Sequence, residues 1–230
     1  MKKRKKTHIS VAIDGPSGAG KSTLAKAIAA KLGFVYVDTG AIYRTLGYAV
    51  RQAGIGSKDA EAIVALLPEV EIDIGYGEDG TQKMLLAGED VSAYIRTPEI
   101  SIYASDVSAI PEVRAFLLGM QRHMAEVHDV IMDGRDIGTV VLPDAQVKIF
   151  LTASAEERAR RRCLELREKG METPYEEVLR DIEYRDKQDS TRAAAPLKAA
   201  EDAFLLDNSD LSFEATVDAA SDYILEKTGR

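Results

Sequence analysis

Residues 15–22 read Gly15-Pro16-Ser17-Gly18-Ala19-Gly20-Lys21-Ser22, which matches G-x-x-x-x-G-K-[ST] at every fixed position. Chemistry of one kind needs that spacing. A glycine-rich turn between a strand and a helix lets successive backbone N–H groups face a phosphate chain, and the helix N-terminus adds partial positive charge. The flanks suit the motif: Ile9, Val11 and Ile13 alternate ahead of it as in a strand, and 22–32 follow with helical periodicity. Lys21 is then placed to reach the β- and γ-phosphates and the Ser22 hydroxyl to ligate Mg²⁺, with Thr23 completing the ATP-contacting stretch. A nucleoside triphosphate is the predicted ligand.

Three further clusters mix carboxylates with arginine. Asp38-Thr39-Gly40-Ala41-Ile42-Tyr43-Arg44 follows a second apolar run, and Asp133-Gly134-Arg135-Asp136-Ile137-Gly138-Thr139 follows a third. Both occupy carboxyl ends of predicted strands, where open α/β sheets bind ligands. Arg185-Asp186-Lys187-Gln188-Asp189-Ser190-Thr191-Arg192 closes an arginine-rich helical stretch, and Arg158, Arg160, Arg161 and Arg162 crowd the stretch before it. Asp133 ends its apolar run as a carboxylate that orients Mg²⁺ through water would; it would equally fix its loop by accepting backbone N–H groups. Asp14, directly before the phosphate loop, has the same two readings. Arg44, 158–162 and 192 have few local anionic partners, which predicts surfaces that repel one another until phosphates neutralise them.

The elements that must position these groups alternate. Five short apolar runs, 9–13, 34–37, 130–132, 147–151 and 203–206, read as buried parallel strands separated by helices, the pattern of a doubly wound sheet. Ser154-Ala155-Glu156-Glu157 and Thr173-Pro174-Tyr175-Glu176 read as capping boxes, the second with Pro174 at the first helical position. Gly33, Gly54 and Gly170 stand where helices should stop. Between the second and third runs, 70–74 and 82–87 form a predicted hairpin around a turn at 77–80, an insertion that makes a small lobe.

Composition narrows the function. With 230 residues, 45% hydrophobic and 30% charged, the chain suits one α/β domain with an insertion. A net charge of −8 argues against a nucleic-acid binder. The single cysteine, Cys163, allows no intrachain disulfide and fits a reducing cytoplasm; a monomer is expected. No run approaches the ~20 apolar residues of a membrane span. The basic run at 2–6 has no apolar segment after it, so it reads as a solvated terminus, not a secretory signal or a nucleic-acid arm. The single asparagine, Asn208, precedes Ser209, so the Asn-Lys-x-Asp element that reads guanine in GTPases is missing. A small phosphoryl-transfer kinase remains. Two phosphate-bearing substrates repel, and guanidinium forks that bind phosphate oxygens bidentately bring them together.

The ordered set of 15–22, 38–44, 133–139 and 185–197 resembles the bacterial cytidylate kinases, among the P-loop nucleoside monophosphate kinases, over nearly the whole chain. Residues 86–92 resemble the insertion that marks the bacterial enzymes. The resemblance implies that Thr39, Arg114 and Asp136 read the cytosine edge, an acidic acceptor suiting its exocyclic amine. It implies Arg44, Arg135 and Arg192 on the acceptor phosphate; Ser105, Arg185 and Asp189 on the sugar; and Arg158, Arg161 and Arg162 as lid arginines over the donor, unless Glu156, Glu157 or Glu165 occupy them. Catalytic weight falls on Lys21, Arg135 and Arg192. The expected architecture is α/β: a P-loop core at 1–39 and 109–230 with a five-stranded parallel sheet, a nucleoside-monophosphate lobe at 40–108, and a helical lid at 155–192. The implied reaction moves the γ-phosphoryl group of ATP to CMP or dCMP with Mg²⁺. A P-loop kinase for UMP, shikimate or dephospho-coenzyme A, and a non-catalytic nucleotide-binding module, stay open as alternatives.

Overall fold

The computed structural model describes residues 8–168 and 170–229, so the basic run at 2–6 lies outside the described residues. In chain order, β1 (Ser10–Asp14) and α1 (Lys21–Leu32) are followed by β2 (Val35–Asp38), α2 (Thr39–Gln52) and α3 (Ala60–Leu66). The strands β3 (Ile72–Tyr76), β4 (Gln82–Leu86) and β5 (Glu89–Asp90) precede α4 (Pro98–Val107) and α5 (Pro111–Val127). The chain then forms β6 (Val130–Gly134), a π-helical turn at Ile137–Val141, and β7 (Val147–Thr152). Finally come α6 (Ala155–Glu168), α7 (Tyr175–Thr191), β8 (Phe204–Asp207) and α8 (Phe213–Thr228). Two compact units result: the described residues up to Tyr36 with those from Ala125 onward, and Val37–Met124.

The first unit is built on a five-stranded parallel sheet of order β2-β6-β1-β7-β8. Its central strand is buried at every position, because helices cover both faces and an alternating pattern would bury polar groups. Val11, Ile13, Ile131, Val147, Ile149 and Leu151 pack with Leu24 and Ile28 of α1 and Ala220 and Ile224 of α8. Each fully buried aliphatic side chain there contributes about 1.5–3 kcal/mol.

All five expected strands form, and each runs one or two residues further toward its carboxyl end than the apolar run, to Asp14, Asp38, Gly134, Thr152 and Asp207. Main-chain pairing continues past the last apolar side chain, as in Asp14 opposite Gly134 and Thr152 opposite Asp207. The sheet therefore carries acidic residues at the edge where the phosphate loop begins. Ser154 caps α6 as expected, its hydroxyl accepting the Glu157 amide at 3.2 Å. Thr173 does not cap α7. Extended Pro174 is the N-cap itself, the helix starts at Tyr175, and the Pro174 carbonyl takes the amides of Glu177 and Val178.

The second unit pairs an antiparallel β3-β4-β5 sheet with α2 to α4. The hairpin turn closes as expected, with the Gly77 amide on the Thr81 carbonyl, but β3 starts at Ile72 rather than 70. The two-residue β5 has no apolar alternation to announce it. It follows a tight reversal in which Ala87 and Gly88 both have positive φ, 49° and 81°. Against α4, the position of Gly47 matters: a Cβ there would stand 3.0 Å from both the Ala104 amide and the Tyr103 Cβ. Its bare Cα lets α2 and α4 approach.

Candidate active site

The phosphate loop leaves β1 at Gly15, whose φ of +148° and whose position 1.9 Å, measured from an added Cβ, from the Leu151 carbonyl admit no side chain. It enters α1 through Gly20 in the left-handed region, and no side chain caps that helix. The first-turn N–H groups therefore have no capping side chain, which with the dipole makes an anion site. Three side chains hold the loop by its carbonyls: Lys21 Nζ donates to Pro16 O at 2.7 Å, Arg158 Nη1 to Ser17 O at 2.9 Å, and Asn208 Nδ2 to Ala19 O at 3.2 Å. Ser22 and Thr23 are exposed at the start of α1.

Beside the loop lies a buried set of charges. The Ser22 hydroxyl donates to Asp133 Oδ2 at 2.9 Å, and the Tyr36 hydroxyl donates to Asp133 Oδ1 at 2.8 Å. Asp133 is thus held by two hydroxyls. Asp14 takes the loop-fixing role: its two oxygens accept the Ile137 and Gly138 amides, each at 2.7 Å. Burial pushes its carboxyl up to about 6, against those amide hydrogen bonds, with Asp136 adding to the rise and Lys21 opposing it. Burial, reinforced by the Arg135 guanidinium, brings the Lys21 ammonium down to about 7 against the pull of Asp133, Asp14 and Asp189.

The segment after β6 is joined to the end of α7. Arg135 Nε donates to Asp189 Oδ2 at 2.8 Å, and Arg192 Nη2 to Asp136 Oδ1 at 3.4 Å, while Arg192 Nε holds the Ala195 carbonyl at 2.8 Å. Two clusters separated by some fifty residues of chain therefore meet. Arg185 stands exposed on α7.

The arginines of α6 differ from one another. Arg158 is buried, forks onto both oxygens of Asp186 in α7, and reaches the Ala153 carbonyl as well as the loop. Arg161 bonds Glu157, the Asn208 side chain and the Asn208 carbonyl. Arg162 pairs with Glu165 on an exposed face. In the second unit Arg44 pairs with Asp38 at 2.9 Å, and Arg96 approaches the same carboxylate at 3.5 Å. Asp38 also caps α2 through the Ala41 amide, and the Gln82 side chain of β4 accepts its backbone N–H. Arg114 lies over the Tyr43 ring at 5.7 Å and donates to the Ser108 carbonyl; Thr39 is buried at the start of α2, and the Ser105 carbonyl accepts the Ser108 hydroxyl.

The expectation that these arginines have few anionic partners is therefore corrected, while the alternative of Glu157 and Glu165 occupying Arg161 and Arg162 is what the structure shows. Arg44, Arg158, Arg161, Arg162 and Arg192 each have a carboxylate within their own unit. Helix spacing placed some of these partners and the fold the rest: Asp186 lies on a different helix and Asp136 on a different loop.

A family model described as cytidylate kinase matches residues 11–226. The chain belongs to the cytidylate kinase family. It is 53% identical over 206 residues to the cytidylate kinase of Caldicellulosiruptor saccharolyticus, covering 90% of this chain and 91% of that one. It is 48% identical over 228 residues to the cytidylate kinase of Lactobacillus johnsonii, covering 99% of both. Among solved structures it is similar to the shikimate kinase of Bacteroides thetaiotaomicron at a TM-score of 0.45 and 16% identity, covering 96% of this chain and 99% of that one.

The sequence reading missed Asn208, Tyr36 and Asp186 in the first unit and Arg96 in the second as hydrogen-bonding participants. Asn208 had a signal: it is the only asparagine and stands two residues past the predicted strand at 203–206. Tyr36 had none, because alternate residues of a fully buried strand read as core whatever their polar tip touches. Among the described residues no helix is long and apolar enough to cross a membrane.

Proposed function

We propose that this chain transfers the γ-phosphoryl group of ATP to CMP or dCMP, giving ADP and CDP or dCDP. Membership of the cytidylate kinase family supports the acceptor. The observation that carries the reading is the joining of the two arginine-bearing segments, Arg135 to Asp189 and Asp136 to Arg192, next to a buried Lys21 that feels both Arg135 and Asp189. Acceptor phosphate and donor phosphate need such an array because little covalent chemistry is required and charge must be stabilised throughout.

In this reading residues 15–23 hold the ATP phosphates, with Lys21 meeting the charge that grows on the transferred group. Arg158 and Arg161, already bonded to the loop or to Asn208, are the lid arginines best placed to turn toward the donor. Arg162, paired on the exposed face, is the least so placed. Thr39, Arg114 and Asp136 read cytosine; Arg44, Arg135 and Arg192 take the acceptor phosphate; Ser105, Arg185 and Asp189 take the sugar. Carboxylates pair with Arg44, Arg135 and Arg192 in the free protein, and phosphate oxygens replace them on binding.

A divalent cation fits the residues present. The Ser22 hydroxyl and the Asp133 carboxylate, 2.9 Å apart, are hard oxygen donors. Together they would hold Mg²⁺ beside the donor phosphates. Mg²⁺ held there would supply charge neutralisation of the donor phosphates. The reading includes a monomer working in the cytoplasm.

Turnover measured side by side with CMP, dCMP, UMP, AMP and shikimate tests the proposal. CMP and dCMP are expected to lead. Preference for UMP or shikimate would reassign the acceptor, and ATP binding without turnover on any acceptor would leave a nucleotide-binding module.

A further inference from the structure

The π-helical turn after β6 is capped from outside. Asp136 is its N-cap residue, and an aspartate there ordinarily turns its own carboxylate back onto the first amides of the helix. Asp136 makes no such bond. The amides it would cap, Ile137 and Gly138, go to the two oxygens of Asp14, reached across the sheet from the end of β1. Asp136 keeps its backbone role, its carbonyl accepting the Val140 and Val141 amides, while its side chain points at Arg192.

Space at the clamp is tight. A Cβ at position 138 would stand 3.3 Å from Asp14 Oδ2 and 3.1 Å and 3.2 Å from Cδ and Cγ of Lys148. Lys148 is itself buried and fixed by Asp202 at 2.9 Å. Gly138 is thus gripped between a carboxylate and a lysine stem. The carboxylate is buried at a cost, which its raised pKa also reflects.

We infer that Asp14 is a positioning residue for acceptor recognition: by capping Ile137 and Gly138 it keeps the Asp136 carboxylate out of its own turn and directed at the acceptor base. This rests on the reading above in which Asp136 receives the cytosine amine. Asp14 is the last residue before the phosphate loop, so one side chain ties the start of the donor loop to the acceptor-reading segment.

Asp14→Asn keeps the size but places one N–H₂ group against a backbone N–H, so one of the two bonds is lost. Gly138→Ala leaves Asp14 intact and displaces the same clamp from the other side. Both variants, with Asp136→Asn as reference, are assayed with CMP and UMP, and backbone amide exchange is followed at Ile137 and Gly138. Asp14→Asn and Gly138→Ala are each expected to lower the CMP over UMP ratio of kcat/KM by at least about fivefold, the low end of one base-edge contact. The KM for ATP should stay within about threefold, and the two amides should exchange faster. A stabilising role alone would lower Tm and leave the ratio unchanged.

If Asp136→Asn changes the ratio and neither folded variant does, the positioning role is wrong. If Asp136→Asn itself leaves the ratio unchanged, the base-reading assignment fails instead. Should neither variant fold, the wild-type protein decides: Ile137 and Gly138 amides exchanging as fast as exposed loop amides would show that the clamp does not hold.

Discussion

At the scale of single residues, charge is used in buried positions where it is expensive and therefore informative. Lys21 is 5% exposed and donates to a carbonyl of its own loop, so its ammonium is pre-placed rather than recruited. Lys21→Ala is expected to lower kcat by roughly 10² or more, as for other preorganised electrostatic groups. Thermal unfolding and circular dichroism should remain close to wild type, because the loop is also held by Arg158 and Asn208. Asp136→Asn adds a donor where cytosine presents one, and should cost CMP about 1–3 kcal/mol in kcat/KM while sparing UMP. Equal losses for both acceptors would make Asp136 structural. Asp14 carries a pH dependence of stability. Its carboxyl is raised from 3.8 to about 6 on folding, so the native state binds the extra proton between those values. The stabilisation is complete below about 4 and is lost as pH rises through 6. Relative to Asp14→Asn, the wild-type protein should gain roughly 3 kcal/mol between pH 7 and pH 4, at about 1.4 kcal/mol per unit. Parallel denaturant titrations of the two proteins across that range check the sign.

At the scale of elements, the sheet and two glycines set what the side chains can do. Gly15→Ala puts a Cβ 1.9 Å from the Leu151 carbonyl, so β1 and β7 would have to separate at the mouth of the loop. We expect loss of ATP binding together with a Tm drop far larger than the ~1 kcal/mol of an ordinary glycine-to-alanine change. Scanning calorimetry with and without ATP reads both. The α6–α7 pair has a small apolar seam of Ala159, Val178 and Ile182, and the Arg158–Asp186 fork supplements it. Removing Arg158 leaves Asp186 unpaired, but Asp186 is partly exposed, so Arg158→Ala should cost about 2–3 kcal/mol rather than the 3–5 of a fully buried pair. A denaturant midpoint unchanged from wild type would show that the seam alone joins the helices.

At the scale of the whole molecule, the proposed function has nucleotide phosphates competing with internal carboxylates for the arginines. The sequence suggested cationic surfaces kept apart by repulsion; the structure instead shows each of these arginines matched within its own unit. Binding is then an exchange of partners, and ordering of 155–192 should need phosphates on both nucleotides. A bisubstrate compound, two nucleosides joined by a phosphate chain, is expected to slow hydrogen exchange across 155–192 well beyond CMP alone. Protection in the free protein already equal to that in the complex would remove lid closure and leave the kinase assignment standing.

Much of this was legible in the residues. The phosphate loop, the five core strands and the hairpin are local patterns: a motif with fixed glycines, apolar runs, and a turn between alternating segments. The resemblance those residues carry agrees with the family match over 11–226 and with relatives at about half identity over most of the chain. What the chain could not announce was pairing across distance. That Asp14 caps a turn at 137–138 and that Asn208 bridges the loop to Arg161 depend on which strand ends lie side by side, and that Asp186 rather than a neighbouring glutamate holds Arg158 depends on how α6 and α7 pack. Local reasoning also ended the strands too early, since a ladder of main-chain hydrogen bonds runs on beneath polar side chains. A carboxylate's type and position in sequence mark it as chemically able; only the tertiary packing chooses its partner, because burial removes water and leaves the nearest donor as the one remaining way to satisfy it.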